Sequence, residues 1–206
     1  QRNLNRRWKT HTVYFDLSSA FDTVQHQVLL WKLQHQFFIT GPFLETLRHF
    51  LTNRRSKVRV NGAESKWQQD IIGMPQGGAL SPLIYLLYVD DLAIINNIQG
   101  LKAAIYSDDI SIFTTCESSD EAQAALQEAV FVVEWYCKHH GLVLNHDKTR
   151  YVIFARGNIK KTDKLTINMH RIDKKTGISS PTALEHYNKP IKYLGIWLDR
   201  KLDFRH

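Results

Sequence analysis

Tyr106-Ser107-Asp108-Asp109 lies between two apolar runs, Leu101 to Ile105 and Ile110 to Phe113, which predicts two strands joined by a turn that carries adjacent carboxylates. Two carboxylates about 4 Å apart repel by roughly 4 kcal/mol at an effective dielectric near 20. A chain that directs both to one place normally offsets the repulsion with a cation. Hard oxygen donors of this kind suit magnesium.

A third carboxylate extends the pattern. Val13-Tyr14-Phe15 reads as a short apolar strand with Asp16 at its end. Three carboxylates from neighbouring strand ends can hold two divalent ions, an arrangement that serves phosphoryl transfer, so nucleotidyl transfer is the leading expectation. A rival pair, Asp90-Asp91, follows Ser81-Pro82-Leu83-Ile84-Tyr85-Leu86-Leu87. Ser81 suits an N-cap and Pro82 the first helical position. Successive helical side chains diverge by about 100°, so Asp108 and Asp109 are the expected functional pair.

The 206 residues suffice for one substantial domain, and a net charge of +7 implies an anionic partner, with nucleic acid the natural candidate. Cys116 and Cys137 have neither disulfide-scaffold nor zinc-site spacing. The apolar stretch from Leu80 to Ile95 is interrupted by Asp90 and Asp91 and is too short to span a bilayer, and the polar start has no signal-peptide pattern. An intracellular protein without membrane partners is expected. A start at Gln1 and an end at His206 read as a fragment of a longer polypeptide.

Along the chain, 26–37 and 43–51 have helical spacing, with Gly41-Pro42 expected to stop the first helix. Residues 57–72 alternate around Asn61-Gly62, a hairpin with a basic face. Residues 73–78 are loop-like. A helix from about Ser118 to His140 has a capping-box start and ends at Gly141. Strands are expected at 151–154, 165–169 and 191–198, with a loop around 176–190. The histidines are read as surface or capping residues, and Asp22 as a carboxylate stabilising a helix start, with metal binding as its alternative. Interleaved strands and helices imply an α+β fold with its carboxylates at one sheet edge.

Several motifs in order resemble the reverse transcriptases of non-long-terminal-repeat (LINE-type) retrotransposons. These are Phe15-Asp16-Leu17-Ser18-Ser19-Ala20-Phe21-Asp22, then Phe50-Leu51-Thr52-Asn53-Arg54 with Val60-Asn61-Gly62, then Gly73-Met74-Pro75-Gln76-Gly77 with Leu80-Ser81-Pro82, then Tyr106-Ser107-Asp108-Asp109, then Lys148-Thr149, and last Tyr193-Leu194-Gly195-Ile196. The resemblance implies a polymerase palm: residues 1–155 as its core with the 57–72 hairpin, and 156–206 as its end, leading toward a thumb. It implies two magnesium ions, with manganese as a substitute, held by Asp16, Asp108, Asp109 and the Leu17 carbonyl.

The same resemblance implies that Phe21 is a steric gate against a ribose 2′-hydroxyl, that Gln76 and Gly77 line the nucleotide pocket, and that Lys148 stands near the triphosphate. Arg54, Arg55, Lys57 and Arg59 would contact template or primer phosphates. Tyr193, Leu194 and Gly195 would grip the primer end. The partners implied are an RNA template, a DNA primer, deoxynucleoside triphosphates and the rest of a parent polyprotein (fingers, thumb, an endonuclease), with action in the nucleus. Ser107 stands where alanine is usual in this group, and Gly78-Ala79 where Ser-Val is commoner. The upstream finger segments and the thumb are missing from the motif order. A catalytically inactive nucleic-acid-binding remnant is the alternative expectation.

Overall fold

The computed structural model describes residues 8–172, 176 and 178–202. In chain order the elements begin with β1 (Lys9–Phe15), β2 (Leu17–Ser18), α1 (His26–His35) and α2 (Gly41–Leu51). β3 (Arg54–Ser56), β4 (Arg59–Val60), β5 (Ala63–Glu64) and β6 (Gln68–Asp70) follow, then α3 (Ser81–Val89), a 3₁₀ segment (Asp90–Asn97), β7 (Leu101–Tyr106) and β8 (Asp109–Cys116). The remainder is α4 (Ser119–His139), β9 (Val143–Leu144), β10 (Arg150–Phe154), a 3₁₀ turn (Lys161–Asp163), β11 (Ile167–Ile172), β12 (Ser179–Leu184), β13 (Ile191–Tyr193) and β14 (Ile196–Leu198). The chain divides into two compact units, Gln1–Ser18 with Asp91–Lys138 and Leu144–His206, and Ser19–Asp90 with His139–Val143. This is the mixed α+β architecture expected of a palm.

The first unit is built on an antiparallel sheet in the order β10-β1-β8-β7. Residues directly opposite one another share a face. Val13 pairs with Ile112 and Tyr151, and His11 with Thr114 and Ile153, so one face carries these buried side chains. The other face carries Thr12 and Val152, and, toward the strand ends, Tyr14 opposite Ser111 and Arg150. α4 buries Ala122, Leu126, Ala129, Val130, Val133, Tyr136 and Cys137, an apolar stripe at helical spacing. From the same helix Gln123, Gln127 and Glu134 accept hydrogen bonds from the amides of Thr166, Asn168 and His170, which satisfies the outer edge of β11.

β12 occupies part of the segment expected to be a loop. It pairs with β11 from Ile167↔Leu184 to Ile172↔Ser179. Its polar sequence hides the period-2 pattern, and Pro181 is tolerated because the pair has only two strands, so its missing amide breaks no inner ladder. The histidine expectation is also corrected. His11 is fully buried and shares a 2.7 Å hydrogen bond between Nδ1 and the Tyr151 hydroxyl, and the buried His26 donates from Nε2 to the Gly73 carbonyl at 2.6 Å.

The second unit contains α1, α2, α3 and the 54–70 hairpin. Leu29, Leu30 and Leu33 of α1 and Leu44, Leu47 and Leu51 of α2 are buried. Gly41 and Pro42 form the first turn of α2 rather than the stop of α1, because proline's fixed φ and missing amide suit the first turn. Ser81 is not the cap of α3: Leu80 occupies that position, and the Ser81 hydroxyl donates to the Pro75 carbonyl at 2.5 Å, fastening the preceding loop. Gly73 has φ +83, and a Cβ there would stand 2.8 Å from the Asp22 carbonyl oxygen. Only glycine fits that approach. Among the described residues no helix is long and apolar enough to cross a membrane.

Candidate active site

Asp16 follows β1 and Asp109 opens β8. Their neighbours Phe15 and Ile110 are paired, so one further step of the same register sets Asp16 across from Asp109 on the sheet face that carries Tyr14 and Ser111. The β7–β8 turn is only two residues long, since Tyr106 pairs with Asp109, and Ser107 takes φ +55 to close it. Asp16 and Asp109 both line a cavity of about 250 Å³. Asp108 stands at the turn tip, outside the cavity wall.

A tight turn fixes Asp16 from below. The Asn145 amide donates to the Asp16 carbonyl at 2.8 Å, the Asp16 amide donates to Thr149 Oγ1 at 3.4 Å, and Thr149 Oγ1 donates to the Asn145 carbonyl at 2.8 Å. That turn carries Lys148, whose Nζ is 4.0 Å from Asp16 Oδ2. The ammonium is mostly exposed, so the pair contributes little to stability and its position is its significance. Arg150 braces the turn by donating from Nη1 to the carbonyls of Asp147 (2.5 Å) and Thr149 (3.0 Å), and its guanidinium packs 5.4 Å from the Tyr187 ring centroid.

The cavity's other walls include Tyr14, Lys192, Tyr193 and Trp197. Tyr193 sits on the β13–β14 hairpin, packs against Tyr14 with ring centroids 5.0 Å apart, and its hydroxyl accepts from Ser111 Oγ at 3.2 Å. Leu194 (φ 48) and Gly195 (φ 80) make the two-residue turn of that hairpin. The site therefore combines two carboxylates, three cationic side chains (Lys148, Arg150 and Lys192) and aromatic walls.

Burial, then Asp108, then Asp16 hold the Asp109 carboxyl above the usual carboxylate range. A bound cation would relieve that clustered negative charge, and hard carboxylate donors fit a divalent ion. Among the described residues no three His, Cys, Asp or Glu side chains already form a closed metal-binding group. The Leu17 side chain is buried.

The other expected site residues lie in the second unit. Phe21 is half-buried and stacks on Tyr85 with ring centroids 4.6 Å apart. The Phe21 and Val24 carbonyls accept from the amides of Met74 and Gly73, each at 2.8 Å, so this turn and the 73–78 loop are laced together. Gln76 is exposed and donates from Nε2 to Asp22 Oδ1 at 2.7 Å, while Gly77 is exposed with φ +79. Asp22 thus holds Gln76 and does not start a helix, since α1 begins at His26. On the hairpin, Arg54 is 3.9 Å from Asp70, Lys57 and Arg59 both meet Glu64, and Arg55 makes no ion pair among the described residues.

Sequence reasoning missed Asn145, Arg150, Tyr187 and Trp197 as parts of the site. Asn145, three residues before Lys148 in a polar turn, was the readable signal. Arg150 and Tyr187 acquire their roles only through tertiary contact.

Residues 2–198 match the family described as reverse transcriptase (RNA-dependent DNA polymerase). The chain is 30% identical over 203 residues to a probable RNA-directed DNA polymerase from transposon BS of Drosophila melanogaster, covering 94% of this chain and 20% of that protein. It is 28% identical over 207 residues to the RNA-directed DNA polymerase from mobile element jockey of Drosophila funebris, with coverage of 98% and 21%. The chain thus spans about a fifth of the length of these relatives. The fold is similar to apo telomerase from Candida tropicalis, with a TM-score of 0.56 at 15% identity, over 84% of this chain and 36% of that one. With carboxylates at paired strand ends, the ordered motifs and a match across nearly its whole length, the chain belongs to the reverse transcriptase family.

Proposed function

We propose that this chain is the palm of an RNA-directed DNA polymerase that extends a primer 3′-hydroxyl with deoxynucleotides on an RNA template, in retrotransposition. The observation that carries this reading is the β1–β8 register, which sets Asp16 and Asp109 side by side on the wall of a cavity that Lys148 also lines.

Asp16, Asp108, Asp109 and the Leu17 carbonyl would hold two magnesium ions, or manganese in their place. When bound, such a pair supplies activation of the primer hydroxyl and neutralises charge on the leaving pyrophosphate. Lys148 supplies a positive charge, and a proton donor, for the leaving group. Arg150 and Lys192 add cations for triphosphate or primer phosphates. Tyr193, Leu194 and Gly195 grip the primer end. Phe21 excludes a ribose 2′-hydroxyl, and Gln76 and Gly77 border the nucleotide. Arg54, Arg55, Lys57 and Arg59 meet template or primer phosphates. Fingers, thumb and an endonuclease belong to the remainder of the parent polyprotein, and the nucleus is the place of action.

The test is primer extension on an RNA template with magnesium and deoxynucleotides, by the 206-residue chain and by the full coding sequence that contains it, beside Asp16→Ala and Asp108→Ala. Extension lost in both variants supports the reading. A folded, template-binding protein that never extends a primer leaves an inactive nucleic-acid-binding remnant in its place.

A further inference from the structure

The 54–70 hairpin has two registers. Near the turn Arg59 pairs with Glu64 and Val60 with Ala63, and Val58 continues this pairing by accepting from the Ser65 amide at 2.9 Å. At the base Arg54 pairs with Asp70, Arg55 with Gln69 and Ser56 with Gln68. The two registers differ by one residue, so the returning strand carries an extra residue at Lys66–Trp67, a β-bulge. A bulge bends its strand and re-aims a side chain.

The re-aimed side chain is Trp67, which is 62% exposed, with Lys57 Nζ 4.9 Å from its ring centroid. Arg55 of β3, Lys57 and Arg59 of β4 occupy alternate positions along the outgoing chain, and Lys57 and Arg59 meet on the same Glu64 carboxylate. All three are exposed, and residues 54–72 hold five cationic side chains against two carboxylates. An exposed indole beside a row of cations matches the chemistry of an unpaired nucleic-acid strand, whose bases stack on aromatic faces while its phosphates meet Lys and Arg.

We propose that this hairpin, with Trp67 as a stacking platform and Arg55, Lys57 and Arg59 as phosphate contacts, docks a single-stranded stretch of nucleic acid. The proposal rests on the reading of the chain as a template-copying polymerase, to which it adds an element that holds the unpaired strand. The Glu64 carboxylate, which meets both Lys57 and Arg59, keeps the cations in place until a phosphate competes for them.

The experiment measures fluorescence-anisotropy binding of labelled single-stranded RNA, single-stranded DNA and duplex DNA, each about 12 nucleotides long, across a salt series. It uses the wild-type chain, Trp67→Ala, Trp67→Phe, Arg55→Ala and, as a control for an exposed indole elsewhere, Trp31→Ala. Trp67→Ala is expected to weaken single-strand binding about five- to a hundredfold. Trp67→Phe should restore most of it, and Trp31→Ala should leave it unchanged. Arg55→Ala should lower the log-log salt slope for single strands by about 0.7. The RNA and DNA arms identify which strand the surface takes. Unchanged single-strand binding by Trp67→Ala, an equal loss on duplex and single strands, or no single-strand binding by the wild type overturns the proposal. Circular dichroism of each variant checks that it is folded. Primer extension by the wild type reports separately on the polymerase reading, so either idea can fail without the other.

Discussion

The Asn145 amide donates to the main-chain carbonyl of Asp16 at 2.8 Å, and the Asn145 side chain accepts from the Lys148 amide at 3.3 Å. One residue therefore holds the carboxylate's backbone and shapes the turn that brings a lysine beside it. Asn145→Ala removes the side-chain acceptor, at a cost of about 1 kcal/mol in stability, or a fall of about 2–4 °C in Tm for a chain of this size. Primer extension should fall about tenfold or more, because a 1 Å displacement of a charge near reacting groups is costly. Asn145→Asp keeps an acceptor for the same turn and should recover the Tm. Thermal melts beside single-turnover extension check both parts.

The Asp109 carboxyl is held above the usual carboxylate range by burial and by Asp108 and Asp16. The folded form thus binds this proton more tightly than the unfolded chain does. Its stabilising effect is complete below the unfolded pKa and is lost as pH rises through the folded one. At neutral pH the ionised site opposes folding when no metal is bound. Asp109→Asn is therefore expected to raise the Tm of the metal-free protein at pH 7 and to leave it little changed at pH 3. Magnesium or manganese should raise the wild-type Tm more than that of Asp109→Asn or Asp16→Asn. Differential scanning fluorimetry with and without EDTA measures both, and an equal metal response in all three proteins would count against metal binding by these carboxylates.

His11 behaves in the opposite sense. Burial, aided by the charge of Lys9, lowers its pKa to about 4, so the folded protein keeps this imidazole neutral where the unfolded chain takes a proton. Stability should fall as pH drops from about 6.5 to about 4, by up to roughly 3 kcal/mol, and then level off for this group. His11→Gln removes that slope at the cost of the bond to Tyr151. Urea denaturation at half-unit pH steps gives the comparison.

Phe21 stacks on Tyr85, a ring pair that contributes about 1 kcal/mol beyond its buried area. Phe21→Ala should lower stability by at least that amount and, if the ring is the sugar gate, raise ribonucleotide incorporation relative to deoxynucleotide by tenfold or more. Phe21→Tyr keeps the ring and should keep the discrimination. Competitive incorporation assays separate the two effects, since loss of stability alone lowers both rates together.

The parts of this molecule that were legible in its sequence are those encoded locally. The Asn61-Gly62 hairpin and the Tyr106-to-Asp109 turn combine period-2 patterns with turn chemistry inside a few residues, and α4 announces itself by its apolar stripe. β12 was not legible, because Ser179-Ser180-Pro181-Thr182 has no apolar alternation and its strand state depends on β11 across a turn. His11 lies in Thr10-His11-Thr12, a polar string whose burial follows only from the central place of β1 in the sheet. Family resemblance implied roles for Asp16 and Lys148 separately, whereas the Asn145–Thr149 turn that brings them together joins distant segments through one main-chain bond and the Thr149 hydroxyl, a pairing that no local pattern encodes.

Arg150 is the clearest residue of that hidden kind. Its guanidinium donates to the carbonyls on either side of Lys148 and packs against Tyr187, so it fixes the Lys148 turn from the cavity wall. Nη1 alone reaches both carbonyls while the planar guanidinium lies over the Tyr187 ring, and a lysine ammonium has no plane to lay against that ring. Arg150→Lys should therefore resemble Arg150→Ala, with kcat for extension reduced about tenfold or more, while Tm falls only a few degrees. If Arg150 also meets the triphosphate, the alanine variant raises KM for deoxynucleotides and the lysine variant, retaining the charge, raises it less. Tyr187→Phe keeps the ring and should be close to wild type, whereas Tyr187→Ala should reproduce part of the Arg150→Ala loss. Steady-state kinetics on the four variants decide between bracing and charge: full recovery by Arg150→Lys would show that the charge alone matters and that the brace does not.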